Sequence, residues 1–320
     1  MLFAPSAHAQ WLSDEDAIMG TAVRVELWHE DADAGRAAIA AVMDEMRRID
    51  RLMSPFKPET ELSRINREAA RKPVAVSREL FDLIARSLEF STLTDGAFDI
   101  TFSSVGYLYD YRRARKPTEA QIQRMLPAVN YRHVRLDPAK STVRFARDGV
   151  RIDLGGIAKG YAVDTSIAIL KQRGVRQALV SAGGDSRVVG DRGGRPWHVG
   201  IRDPRHADAS VAVLPLSDAA ISTSGDYERY FEADGVRYHH ILNPKTGRSP
   251  SALRSVTIIG DDGTTTDALS TSVFVMGLDA GMKLVESLPD IEAVIIDASG
   301  KLHYSSGLQR APDAPRPNMP

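Results

Sequence analysis

Cysteine is absent from all 320 residues. That excludes disulfides, thiolate metal sites and a cysteine nucleophile, and it makes an oxidising compartment harmless without requiring one. Long apolar runs are also absent, so no segment has the length and apolarity of a membrane-spanning helix. Net charge is nearly absent too. The 41 Lys and Arg offset 42 Asp and Glu, for a formal charge of -1, which argues against nucleic acid as a partner. No internal repeat and no linker divides the chain. What is present is 43% hydrophobic residues, enough to bury a substantial core as one large domain or two subdomains.

The first ten residues are small and largely apolar and include Ala7-His8-Ala9, the A-x-A pattern after which signal peptidase cuts. The expectation is the tail of a signal peptide whose start lies upstream, and hence export. The other end, from Ala311, is proline-rich and expected to be disordered. The predicted organisation is 1–16 as signal remnant and N-terminal tail, 17–308 as the folded domain and 309–320 as a tail.

Within that domain, Ala17 to Trp28 reads as one strand, with Val23, Val25 and Leu27 alternating. Asp31 to Met53 is predicted as an amphipathic helix whose apolar face carries Ile39, Val42, Met43, Met46, Ile49 and Met53. Ser54-Pro55 ends it. A short helical piece at 61–66 and a helix capped by Ser77 follow. Further strands are expected at 134–136, 142–145, 150–154, 178–182, 197–201, 211–216, 255–259 and 293–296. A helix is expected to begin near Thr266-Asp267, and another at 279–288. Mixed helices and strands with many antiparallel neighbours place the chain in the α+β class.

The stretch from Ile152 to Asp164 leaves an extended run, turns on Gly155-Gly156 and enters a helical pattern that Gly174 is placed to stop. A glycine turn into a helix N-terminus presents free N–H groups and a positive dipole end, with Asp153 and Lys159 flanking it. Asp267 and Thr271 stand four apart, so they share one helix face. A carboxylate and a hydroxyl form a hard-oxygen pair suited to Mg2+, although an aspartate capping a helix gives the same spacing. His239 and His240 are adjacent in a strand and point to opposite faces, so at most one serves a given site. Tyr107, Tyr109 and Tyr111, interleaved with arginines, fit an aromatic loop beside a flat ligand.

These residues also carry a family resemblance. Met19-Gly20-Thr21, Asp95-Gly96-Ala97-Phe98-Asp99-Ile100-Thr101, Asp153-Leu154-Gly155-Gly156-Ile157-Ala158-Lys159-Gly160-Tyr161-Ala162, Thr223-Ser224-Gly225-Asp226-Tyr227, His240-Ile241-Leu242-Asn243-Pro244-Lys245-Thr246-Gly247 and Asp267-Ala268-Leu269-Ser270-Thr271 occur in the order and spacing of the ApbE family, the FAD:protein FMN transferases. The resemblance implies one domain of two intimately packed α/β subdomains with mixed, largely antiparallel sheets. It implies a Mg2+-dependent enzyme that splits the pyrophosphate of FAD, transfers FMN to a Ser or Thr hydroxyl of an acceptor flavoprotein and releases AMP. The implied acceptor carries an Asp-Gly-x-Ser/Thr type motif, as in subunits of membrane redox complexes. By motif position, Mg2+ is expected on Asp267, Thr271 and the Gly156 carbonyl. FAD is expected against Met19, Phe56, Ala97, Phe98, Asp99, Asp153, Lys159 and Ile241, with His240 assisting proton transfer.

The sequence also departs from the family pattern. Ser103 to Asp110 replaces the usual Gly-Pro-Leu and Trp-Gly stretch, and Phe56 stands where many relatives carry tyrosine. No lipobox cysteine follows the signal-like segment, so a soluble periplasmic protein is expected. Asp262-Gly263-Thr264-Thr265-Thr266 echoes the acceptor signature, but self-modification is not expected. Two other functions fit the same residues: a Mg2+-dependent FAD pyrophosphatase and a non-catalytic flavin-binding or delivery protein.

Overall fold

A computed structural model describes residues 10–309, Ala207 excepted. Its centre is an eight-stranded sheet, and every pairing in it is antiparallel. The strands are β1 (Gln10–Ile18), β2 (Thr21–His29), β3 (Ala178–Ala182), β4 (Asp185–Val189), β5 (Ala220–Gly225), β6 (Leu253–Gly260), β7 (Glu292–Asp297) and β8 (Leu302–Tyr304). They lie side by side in sequence order. Helices and small hairpins are inserted between them as excursions. No helix among the described residues is long and apolar enough to cross a membrane. The predicted α+β class is the observed one.

Four helices, α1 (Ala32–Met53), α2 (Ala158–Gln172), α3 (Gly263–Met276) and α4 (Leu278–Glu286), pack in that order along one face of the sheet. The Asp31 carboxylate caps α1 by accepting from the N–H groups of Asp33 and Ala34, and the predicted stripe from Ile39 to Met53 is buried. The α2 helix stops where the glycine pattern predicted. Gly174 takes φ +80°, its N–H donates to the Lys171 carbonyl, and the Val175 N–H donates to that of Leu170. That is the Schellman pattern of a left-handed glycine C-cap. The opposite face of the sheet is covered by the hairpin Trp197–Arg202 and Ser210–Leu216, whose Trp197 and Leu216 pack on Val188 and Ile221.

Several elements differ from the sequence reading. The single strand expected over Ala17 to Trp28 is a hairpin, because Met19 (φ +54°) and Gly20 (φ +73°) form a two-residue turn between β1 and β2. Paired positive φ values of this kind belong to tight hairpin turns. Strand β1 begins at Gln10, so residues 10–16, expected as a tail, are part of the sheet; the signal-like residues before it and the proline-rich end lie outside the described residues. Val150 to Leu154 is extended but joins no sheet. Its N–H groups donate elsewhere: Arg151 to Ser104 Oγ (2.9 Å), Ile152 to Asn66 Oδ1 (2.7 Å) and Asp153 to the Ile100 carbonyl (2.9 Å). Helix α3 starts at Gly263 rather than Thr266, with Asp262 as its cap.

Candidate active site

A cavity of about 520 Å³ opens where the β1–β2 turn, the loop after the helix Arg78–Leu93, the N-terminus of α2 and the middle of α3 converge. All residues assigned to FAD, metal or proton transfer line it: Met19, Phe56, Ala97, Phe98, Asp99, Asp153, Gly156, Lys159, His240, Ile241, Asp267 and Thr271. Its volume falls within the range of small-molecule sites.

The apolar part is built first. Met19 sits at the hairpin tip in a left-handed conformation, which costs a non-glycine residue about 1–3 kcal/mol. Phe56 follows the end of α1 and is 80% exposed, an aromatic ring at the rim with little protein against it. Phe98 is buried, edge-on to Phe90 with centroids 6.1 Å apart, and its N–H donates to Thr94 Oγ1. Tyr107, Tyr109 and Tyr111 line the same cavity, as expected of an aromatic loop beside a ligand.

The polar part divides by how far each group is already engaged. Asp99 is spent on its own loop. Its Oδ1 accepts from the Thr101 N–H and hydroxyl (2.8 and 2.6 Å), and its Oδ2 from the Tyr131 N–H (2.8 Å). Asp153 accepts only from the Gly155 N–H, at 2.7 Å, and burial holds its carboxyl above the ordinary range. His239 turns away from the cavity, with Nε2 against the Pro250 carbonyl and its ring edge-on to Phe274. His240 turns in, as strand alternation predicted. Its Nδ1 is buried without a partner, which leaves Nε2 as the nitrogen open to the cavity. Burial, then the nearby Arg229, pushes this imidazole well below its usual value, so it is neutral at pH 7.

The metal candidates come together through a close helix crossing. Gly160 in α2 touches the start of α3 so closely that a Cβ there would lie 2.0 Å from the Gly263 carbonyl oxygen and 2.7 Å from Asp267 Cβ. From the same helix, Asp164 accepts from the N–H groups of Gly263 and Thr264 and ties the two helices together. Asp267 is therefore an interior residue of α3, 3% exposed, and not its cap. The three threonines at 264–266 hid that first turn from a reading by polarity. Asp267 Oδ2 accepts from the Gly160 N–H at 3.0 Å. Thr271 lies one turn on, with Oγ1 3.2 Å from Ser224 Oγ and the same distance from where a Cβ on Gly156 would be.

Residues 19–295 match the model of the ApbE family. The chain belongs to that family. Similar curated proteins include one from Treponema pallidum, 32% identical over 94% of this chain and 89% of its own length, and one from Klebsiella pneumoniae, 32% identical over 90% of each. Both are named FAD:protein FMN transferase. Among solved structures, the ApbE protein of Thermotoga maritima superposes with a TM-score of 0.87 at 37% identity, covering 94% of this chain and 98% of that one. The flavin transferase ApbE of Vibrio cholerae superposes with a TM-score of 0.83 at 28% identity, covering 94% and 99%.

The ApbE site in this chain has a donor set that fits a hard divalent cation. Asp267 is a buried carboxylate raised above its ordinary value by burial and then by Asp185, so a cation beside it would relieve an unfavourable charge. Its engaged oxygen is Oδ2, and Thr271 adds a hydroxyl on the same face. Among the described residues no three His, Cys, Asp or Glu cluster as a metal site. That agrees with Mg2+, which keeps waters and substrate oxygens as ligands. Sequence reasoning missed Asp185, Arg151 and Arg229. Asp185 follows Gly183-Gly184 and has the signature of any turn aspartate. The two arginines line the cavity and carried no motif of their own. Arg151 lies 4.9 Å from the Tyr107 ring centroid, with its Nε buried and unpartnered.

Proposed function

We propose that this protein is an FAD:protein FMN transferase that moves the FMN half of FAD to a Ser or Thr hydroxyl of an acceptor flavoprotein and releases AMP. One observation carries the reading: a single cavity gathers an exposed aromatic ring, a neutral buried histidine and a hard-oxygen pair, in a chain whose relatives bear that name. The Phe56 ring and the Met19 side chain offer apolar surface to the flavin. Asp267, Thr271 and the Gly156 carbonyl would hold Mg2+, which when bound neutralises charge that develops on the pyrophosphate oxygens. The acceptor oxygen forms a bond to the FMN-side phosphorus while the bond from that phosphorus to the bridging oxygen breaks, and AMP departs. His240 takes the hydroxyl proton at Nε2, because an alcohol is a poor nucleophile until it loses that proton. Arg229, within electrostatic reach of Asp153, Lys159 and His240, adds positive charge where the phosphates lie.

The acceptor is read as a flavoprotein with an Asp-Gly-x-Ser/Thr type motif, such as a subunit of a membrane redox complex. The test is incubation of the purified protein with FAD, Mg2+ and candidate acceptors, followed by mass spectrometry. A flavin-sized mass gain on the acceptor is the expected result. FMN and AMP with no labelled acceptor would make it a pyrophosphatase, and bound but intact FAD a delivery protein. We also infer export to the periplasm. Cutting after Ala9 would release a chain that begins where β1 begins, at Gln10. An uncut protein found in the cytoplasm would end that reading.

A further inference from the structure

Asp185 has no role in the chemistry above, yet it is among the most buried charges in the molecule, 1% exposed. Its place is set by a tight hairpin: Ala182 pairs with Asp185 across Gly183-Gly184, which joins β3 to β4. Its carboxylate is in contact with the Lys159 amine, and that amine also lies 3.9 Å from Asp267 Oδ2. One ammonium therefore stands between two buried carboxylates, and the farther of them is the metal candidate.

This arrangement has a consequence for any cation on Asp267. An ammonium and a divalent ion beside the same carboxylate compete for its charge, and they repel each other strongly where water is scarce. The amine is held off by Asp185, which makes the closer contact, while the Gly160 N–H steadies Asp267 Oδ2 from the other side. We propose that Asp185 is a positioning residue that captures Lys159 and so keeps Asp267 available to a divalent cation. The inference rests on the reading of Asp267 as a Mg2+ ligand.

The charges predict opposite signs for the two partners. With Asp185 neutral, Lys159 has Asp267 as its remaining carboxylate within 4.0 Å and closes on it, so the metal has to displace an ion pair. With the amine removed instead, both carboxylates remain and the competing positive charge is gone. A residue that only supported the fold would weaken metal binding in either variant.

The experiment is Mg2+ titration by calorimetry on the full-length protein without FAD, comparing wild type with D185N, K159M, the double variant and D267A. D185N is expected to weaken Mg2+ binding by about tenfold or more, K159M to tighten it by a similar factor, and the double variant to return within about threefold of wild type. Wild-type affinity in D185N, or weaker binding in K159M, overturns the proposal while loss of binding in D267A keeps the metal reading intact. Undiminished Mg2+ binding by D267A overturns the metal reading itself, and the proposal with it. Circular dichroism checks each fold. If D185N does not fold, K159M decides alone: tighter binding supports the proposal, and unchanged or weaker binding overturns it.

Discussion

A histidine in a positive surrounding is a better base than its exposed counterpart only in one sense: it is already deprotonated when substrate arrives. Burial is the first cause at His240 and the Arg229 charge the second, so the imidazole is neutral across the physiological range. His240→Ala is expected to lower kcat for FMN transfer by about 10²–10⁴-fold while FAD affinity stays within a few-fold of wild type. Stopped-flow turnover and equilibrium FAD titration separate the two, and a wild-type kcat would remove His240 from the mechanism. At this scale the sequence was informative about which residues meet and poor about what each is doing. His240, Asp267 and Thr271 were legible from motif and spacing. That Asp99 spends both oxygens on its own loop, and Lys159 its amine on Asp185, depends on neighbours up to 32 residues away in the chain.

Between elements, the crossing of α2 over the start of α3 decides whether the cation candidates meet. Its tolerance is set by Gly160, where any Cβ would collide with the Gly263 carbonyl rather than with a movable side-chain tip. Gly160→Ala forces the helices apart and is expected to cost about 1–3 kcal/mol of stability, as overpacking does. Because Asp267 hangs on the same contact, Mg2+ affinity should fall as well. Chemical denaturation and a metal titration on the same variant check both, and an unchanged midpoint would show that the crossing has slack. Elements defined by their own periodicity were readable from sequence: the α1 stripe and the Gly174 stop need no distant partner. Val150 to Leu154 has a strand's alternation, but alternation does not say whether an edge is free to pair. Here Ser104, Asn66 and Ile100 take its N–H groups instead.

For the whole molecule, two buried histidines set a sign for acid stability. Burial lowers both His239 and His240 below the unfolded value of 6.5, so the unfolded chain binds more protons beneath that pH. Their contribution is fully present above pH 6.5 and is lost as pH falls toward their folded values. Asp99 and Asp153, raised by burial, act in the opposite sense: the native state gains stability as they protonate. A variant comparison therefore isolates the histidine share. His239→Gln is expected to be less stable at pH 7.5 but to lose less further stability between pH 7.5 and 5.5, as read by urea denaturation at each pH. Equal slopes would place the acid sensitivity elsewhere. By itself the sequence determined the α+β class, the family and the roster of residues around the cavity. Composition, periodicity and motif order are properties of the chain read along its length. Only the tertiary structure decided that β1 belongs to the sheet, that Asp267 lies inside a helix and that Lys159 is shared between Asp185 and Asp267. Each of those depends on which groups, far apart in sequence, compete for the same hydrogen bond or the same charge.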